Sequence, residues 1–133
     1  MLQKLNHKHG GFTLVEIMIV VAIIALLASI AVPNFLRSRK RSQATMILED
    51  LRVIDGAVDQ YAIETRKSPG DSVGWDDIQK YVKNGSRLYA STGNDILGNP
   101  FTIPTVDNQP KVSATTFASL SDVAPEEFWS PYK

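Results

Sequence analysis

The sequence predicts an α+β chain in which a long N-terminal helix, half membrane-resident and half amphipathic, packs against a small antiparallel β-containing head. Three observations predict it: an uncharged apolar run from Ile17 to Leu36, an apolar stripe at helical spacing from Ala44 to Tyr61, and a remainder punctuated by Gly, Pro, Asn and Asp. They divide the 133 residues into a leader over 1–11, a helix over 12–67 whose membrane part covers about 12–36, and a head over 68–133.

The run from Ile17 to Leu36 holds twenty residues without a charge. At about 1.5 Å of rise per residue it spans roughly 30 Å, the thickness of a hydrocarbon core, so one crossing fits and two do not. Glu16 interrupts its start. An ionisable side chain so close to membrane depth is costly and marks a functional position, and in a first turn it also favours its own helix by about 0.3–1 kcal/mol. Flanking charge counted alone favours the opposite orientation, so orientation rests on the N-terminal motif described below. Lys4 and Lys8, with His7 and His9, favour a cytoplasmic leader, but Arg37, Arg39, Lys40 and Arg41 form a denser cluster on the far side.

Beyond Pro33 the helical period continues. Ala44, Ile47, Leu51, Ile54, Val58 and Tyr61 recur at gaps of three and four, with Arg52, Asp55 and Asp59 off the stripe. The stripe is expected to be the face on which the head packs. The stretch from Asn34 to about Ala44 is too polar to be covered and is free to face neighbouring subunits. Pro33 removes one backbone hydrogen bond, which predicts a bend or local melting there, and Gly56 weakens the helix by about 1 kcal/mol. The helix should stop before Ser68-Pro69-Gly70.

In the head, Trp75, Ile78 and Val82 fit a short helix stopped by Asn84-Gly85. Arg87 to Ser91, Phe101 to Val106 and Lys111 to Ser113 read as short strands, with Asp107-Asn108-Gln109 as the last hairpin turn. Ala114 to Asp122 reads as one or two further helical turns.

The order Gly11, Phe12, Thr13, Leu14, Val15, Glu16, followed by an apolar run ending at Pro33, resembles the N-terminus of type IV pilins and type II secretion pseudopilins. That resemblance implies a membrane peptidase that cuts between Gly11 and Phe12 on the cytoplasmic side and methylates the new amine. It makes Phe12 the mature N-terminus, and Phe12, Glu16 and Pro33 the assembly residues. The chemistry agrees. A carboxylate at membrane depth needs a cation, and the Phe12 ammonium of an adjacent subunit supplies one for Glu16; a subunit lacking the pair leaves a charge uncompensated at about 3–5 kcal/mol. Methylation keeps the positive charge, so the pairing survives it.

The segment Asp95-Ile96-Leu97-Gly98-Asn99-Pro100-Phe101 resembles a head motif of the major type II secretion pseudopilin, and as a plain turn it is also fully explained. That pseudopilin binds calcium in a later acidic, glycine-rich loop. Here the tail from Ser121 to Trp129 lacks the glycines, so Asp107 or Asp122 would have few clustered acids to help it hold the ion.

Composition excludes other classes. Cysteine is absent, so the head must be held by packing alone; many adhesive pilins close a disulfide, and its lack here tilts the resemblance toward pseudopilins. Both histidines, His7 and His9, lie in the leader, which removes hydrolytic triads and histidine-based metal sites, and no cofactor is expected. Formal charge is zero, but without Lys4 and Lys8 twelve bases face fourteen acids, net −2. Residues 37–67 hold seven bases and five acids, and residues 68–133 five bases and eight acids. An acidic head opposes nucleic-acid binding, although Arg37 to Arg41 with Trp75, Tyr81, Tyr89 and Trp129 has some of the needed side chains.

The expected protein is a non-enzymatic filament subunit anchored once in the inner membrane, with its head outside the cytoplasm. The resemblance implies its partners: further copies of itself, a prepilin peptidase, an assembly ATPase and a platform protein. The competing expectation is a secreted or singly anchored small domain, because Ser29 and Ala31 also offer a signal-peptide cleavage site. A mature chain starting at Phe12, Val32 or Met1 separates the three.

Overall fold

The structure, a computed structural model, describes residues 10–133. Lys4, His7, Lys8 and His9, on which half of the flanking-charge argument rests, lie outside the described residues. Two compact units divide the chain, Met1–Leu36 and Arg37–Lys133. One helix, α1, runs over Leu14–Thr65 for 52 residues.

In the first unit α1 is apolar on every side. Ile17, Ile24 and Leu36 are about half exposed or more, and no residue of the membrane-length stretch is buried. A surface of that kind is stable only when lipid or protein covers it. The helix runs through Pro33 without a break, so the melting expected there does not occur. The reason is local. Proline forfeits only the bond to the Ser29 carbonyl, while the turns on either side keep theirs.

In the second unit the stripe is buried. Ala44, Ile47, Leu51, Ile54, Val58 and Tyr61 line the core, joined by Leu48 and Ala57. α1 ends where Arg66 takes a left-handed φ of 53° and the Lys67 N–H reaches back to the Ala62 carbonyl, 3.0 Å away. This is the six-to-one closure of a Schellman cap, here built on arginine instead of glycine.

The rest of the unit folds over that stripe through short elements. α2 (Trp75–Ile78) continues into a 3-10 turn (Gln79–Tyr81), α3 covers Arg87–Ala90, α4 Ala114–Leu120 and α5 Glu126–Trp129. Ile78, Leu88, Phe101, Val112, Leu120, Trp129 and Tyr132 complete the core. Trp129 is fully buried, and its indole N–H donates to the Ala124 carbonyl at 3.1 Å.

The strand expectations need correction. Arg87 to Ser91 is helical because the Ser86 hydroxyl accepts the Tyr89 N–H at 3.2 Å and caps α3, leaving Leu88 to face the core. Elsewhere the described residues hold three isolated antiparallel bridges and no named strand: Ser72 with Thr105, Asn94 with Pro100, and Thr102 with Lys111. Pro104 falls within one of these segments, and Pro100 and Pro110 directly precede Phe101 and Lys111. Each lacks the N–H that a longer ladder would use.

Candidate processing and assembly site

Gly10, Gly11, Phe12 and Thr13 precede α1 and lie outside regular structure. Neither glycine has a left-handed φ, and a Cβ added to either would meet nothing within 4 Å. The chain's own fold therefore places no demand for glycine at position 11. Such a demand has to come from whatever binds the junction.

Thr13 caps the helix. Its hydroxyl accepts the Glu16 N–H at 3.2 Å, and Glu16 Oε2 accepts the Thr13 N–H at 3.2 Å, while the Ile17 N–H reaches the Thr13 carbonyl. This reciprocal pair is a capping box, and it satisfies two donors that a bare helix start leaves open. The Thr-x-x-Glu spacing was readable in the sequence, where the charge of Glu16 drew the argument instead. Cleavage between Gly11 and Phe12 would leave the Thr13 amide, and so both bonds of the box, intact.

Phe12, Glu16, Ile17, Ile19 and Val20 line a shallow open groove on this first stretch. Phe12 is 82% exposed and Glu16 is exposed beside it. The geometry thus brings Gly11, Phe12 and Glu16 together at one helix start. Pro33, the fourth residue singled out, lies about five turns along the same helix.

The head offers no rival centre. Among the described residues no group of three or more His, Cys, Asp or Glu side chains could hold a metal. The two aspartates considered for calcium have other partners. Asp107 accepts from the Gly70 N–H and the Thr105 hydroxyl, both at 2.8 Å, and these bonds hold its pKa below the ordinary value; Asp122 pairs with Lys40 at 3.1 Å. Asp95 is buried, and its carboxylate accepts the Leu97 and Asn99 N–H groups at 2.9 Å and the Thr116 hydroxyl. The segment from Asp95 to Phe101 is a loop closed on itself, with Gly98 at a φ of 86°.

Two further carboxyls lie half in the core. Burial raises the pKa of Asp50, against which the neighbouring Arg87 guanidinium works, and burial raises that of Asp55, which accepts the Tyr132 hydroxyl at 3.1 Å.

A capped, uniformly apolar helix with an acid in its first turn, continued by a packed amphipathic half, defines a class of singly anchored subunits that associate through their helices. The comparisons agree. Residues 6–32 match the prokaryotic N-terminal methylation motif. The type II secretion system core protein G of Escherichia coli is 32% identical over 111 residues, covering 73% of this chain and 77% of that protein. Its counterpart in Klebsiella pneumoniae is 36% identical over 62 residues, 47% of this chain and 44% of that protein. The type IV major pilin protein PilA of Myxococcus xanthus is 45% identical over 51 residues, 38% of this chain and 23% of that protein. The chain belongs to the pilin and pseudopilin family of type II secretion core protein G. No solved structure matches it.

Proposed function

We propose that this protein is a non-enzymatic structural subunit cut between Gly11 and Phe12, held in the inner membrane by residues 12–36 with its head outside the cytoplasm, and drawn from there into a helical filament. The observation that carries this reading is Glu16: one acid, at the start of an otherwise uncharged apolar stretch with no buried residue, near the residue that cleavage would turn into an ammonium. Lipid tails are as apolar as leucine, so the preference for neighbouring helices over lipid has to come from packing and from that ion pair. A prepilin peptidase, an assembly ATPase and a platform protein would act on it. The domain limits follow the same logic: leader 1–11, helix 12–67, head 68–133. The reciprocal bonds between Thr102 and Lys111, at 3.0 and 2.8 Å, form one isolated antiparallel bridge and support a β-containing head without making a strand.

Of the two filament classes, a secretion pseudopilus is favoured over a surface pilus. The alignment with the Escherichia coli type II secretion core protein covers 77% of that protein, whereas those with two type IV pilus subunits cover 23% and 51% of theirs. The lack of cysteine and the Asp95 to Phe101 loop point the same way.

The capping box supports a second role for Glu16, in which its carboxylate serves its own helix start. Two variants divide the roles. Glu16→Ala removes both, whereas Glu16→Gln keeps an oxygen for the Thr13 N–H and removes the charge. Mass spectrometry of the mature chain and micrographs of sheared filaments read the result. Processing at Phe12 with no incorporation of the glutamine variant assigns the ion pair. Normal filaments from the glutamine variant, with loss confined to alanine, assign the cap and sink the pairing. An unprocessed wild-type chain sinks the proposal as a whole.

A further inference from the structure

Arg37, Ser38, Arg41 and Val123 line an open surface cleft of about 290 Å³ within the second unit. Arg37 and Arg41 stand four residues apart on α1, so their side chains rise from one face, where like charges repel unless an anion lies between them. Among the described residues neither takes part in an ion pair. Asp122, next to Val123 in the chain, is the nearby carboxylate in sequence that could have served, and Lys40 already holds it at 3.1 Å. Ser38 adds a hydroxyl, and Val123 adds an apolar wall.

We propose that this cleft binds the phosphate of an anionic phospholipid headgroup. Depth favours a lipid over a free ion or a neighbouring head. Arg37 directly follows Leu36, the last residue of the uncharged run. The four residues from Arg37 to Arg41 rise about 6 Å, and the polar layer on each side of a bilayer is about 5–7 Å thick. When the apolar run fills the hydrocarbon core, both guanidinium groups therefore sit among headgroups, where a bidentate fork suits a phosphodiester. On the outer face, where this reading puts them, the attraction comes from direct pairing of guanidinium with the headgroup phosphate. The inference rests on the membrane-spanning reading of α1 and is independent of filament assembly.

Arg39 provides the matched control. It lies two residues on, about 200° around the helix from Arg37, and it is exposed but does not line the cleft. The full chain, purified in maltoside micelles, is offered phosphatidylglycerol, phosphatidylcholine or inorganic phosphate, and native mass spectrometry reads the adducts. Phosphatidylglycerol should be retained over phosphatidylcholine. The Arg37→Gln, Arg41→Gln double variant should lower its retention at least about tenfold, and Arg39→Gln should stay within about twofold of the parent. Circular dichroism should show the arginine variants folded, since the substituted arginines are exposed. Four results overturn the proposal. They are equal loss in Arg39→Gln, which indicates diffuse charge; equal retention of the two lipids; displacement of the lipid by millimolar inorganic phosphate, which indicates a free-anion site; and unchanged lipid retention in a double variant that loses self-association, which gives the cleft to a neighbouring subunit.

Discussion

Residues 14–36 and residues 44–61 of α1 share one backbone conformation and differ in what surrounds them. In the first stretch Ile17, Ile24 and Ile30 are all about half exposed or more; in the second Ile47 and Ile54 are fully buried. The same side chain does two jobs, and the pattern around it decides which. Where every face is apolar the helix presents no preferred side and suits a solvent that is itself apolar. Where polar residues alternate with a narrow stripe, a head of under a hundred residues can bury that stripe and gain its own stability. One helix thus serves two media, and the change from one to the other coincides with the basic residues from Arg37 to Arg41.

The largest expected effect tests that division directly. Ile54→Ala should destabilise the folded head by about 2–5 kcal/mol, because it empties a filled core site, whereas Ile24→Ala should leave the melting of the head unchanged. Thermal melts of both full-length variants in micelles read the contrast, and equal shifts would break it. Next is Gly93→Ala. Gly93 has a φ of 84°, and an added Cβ would lie 2.8 Å from the Trp75 ring, so a loss of about 1–3 kcal/mol in a denaturant titration is expected. A smaller gain is expected at the helix end, where Arg66→Gly relieves the left-handed φ and should stabilise the head by up to about 1 kcal/mol. A loss there would show that the arginine side chain outweighs its backbone strain.

The smallest effect is a pH dependence. Burial raises the pKa of Asp55 above the unfolded value of 3.8, so the folded chain holds this proton more tightly than the unfolded one. Its favourable contribution is complete below the unfolded pKa and is lost as pH rises through the elevated folded value. Asp50 acts in the same direction. Asp55→Asn, which keeps an acceptor for the Tyr132 hydroxyl, should flatten this slope and leave stability at neutral pH equal or higher by less than about 1 kcal/mol. Urea midpoints measured across the acid range would reveal an unchanged slope if the assignment is wrong.

Much of α1 was legible because its signals are long. A twenty-residue uncharged run and six stripe positions each average out local accidents, and the burial of Ala44, Ile47, Leu51, Ile54, Val58 and Tyr61 follows the spacing residue by residue. The head was less legible because its elements are four to seven residues long, a scale on which one cap decides the outcome. Ser86 turned an apparent strand into α3, and three prolines reduced the expected sheet to single bridges. α5, which presents Trp129 to the core, carries no periodic signal in so short a stretch. At the helix start Gly11, Phe12 and Glu16 were read from sequence, while the reciprocal bonds of Thr13 and Glu16 emerged from the geometry.

Those two bonds constrain the scissors more than the product. Because the first turn is already wound and tied from Thr13 onward, a peptidase that cut between Gly11 and Phe12 would meet a finished coil one residue downstream. Such an enzyme would have to take hold ahead of the coil, and the coil would leave the blade with the same shape in which it arrived.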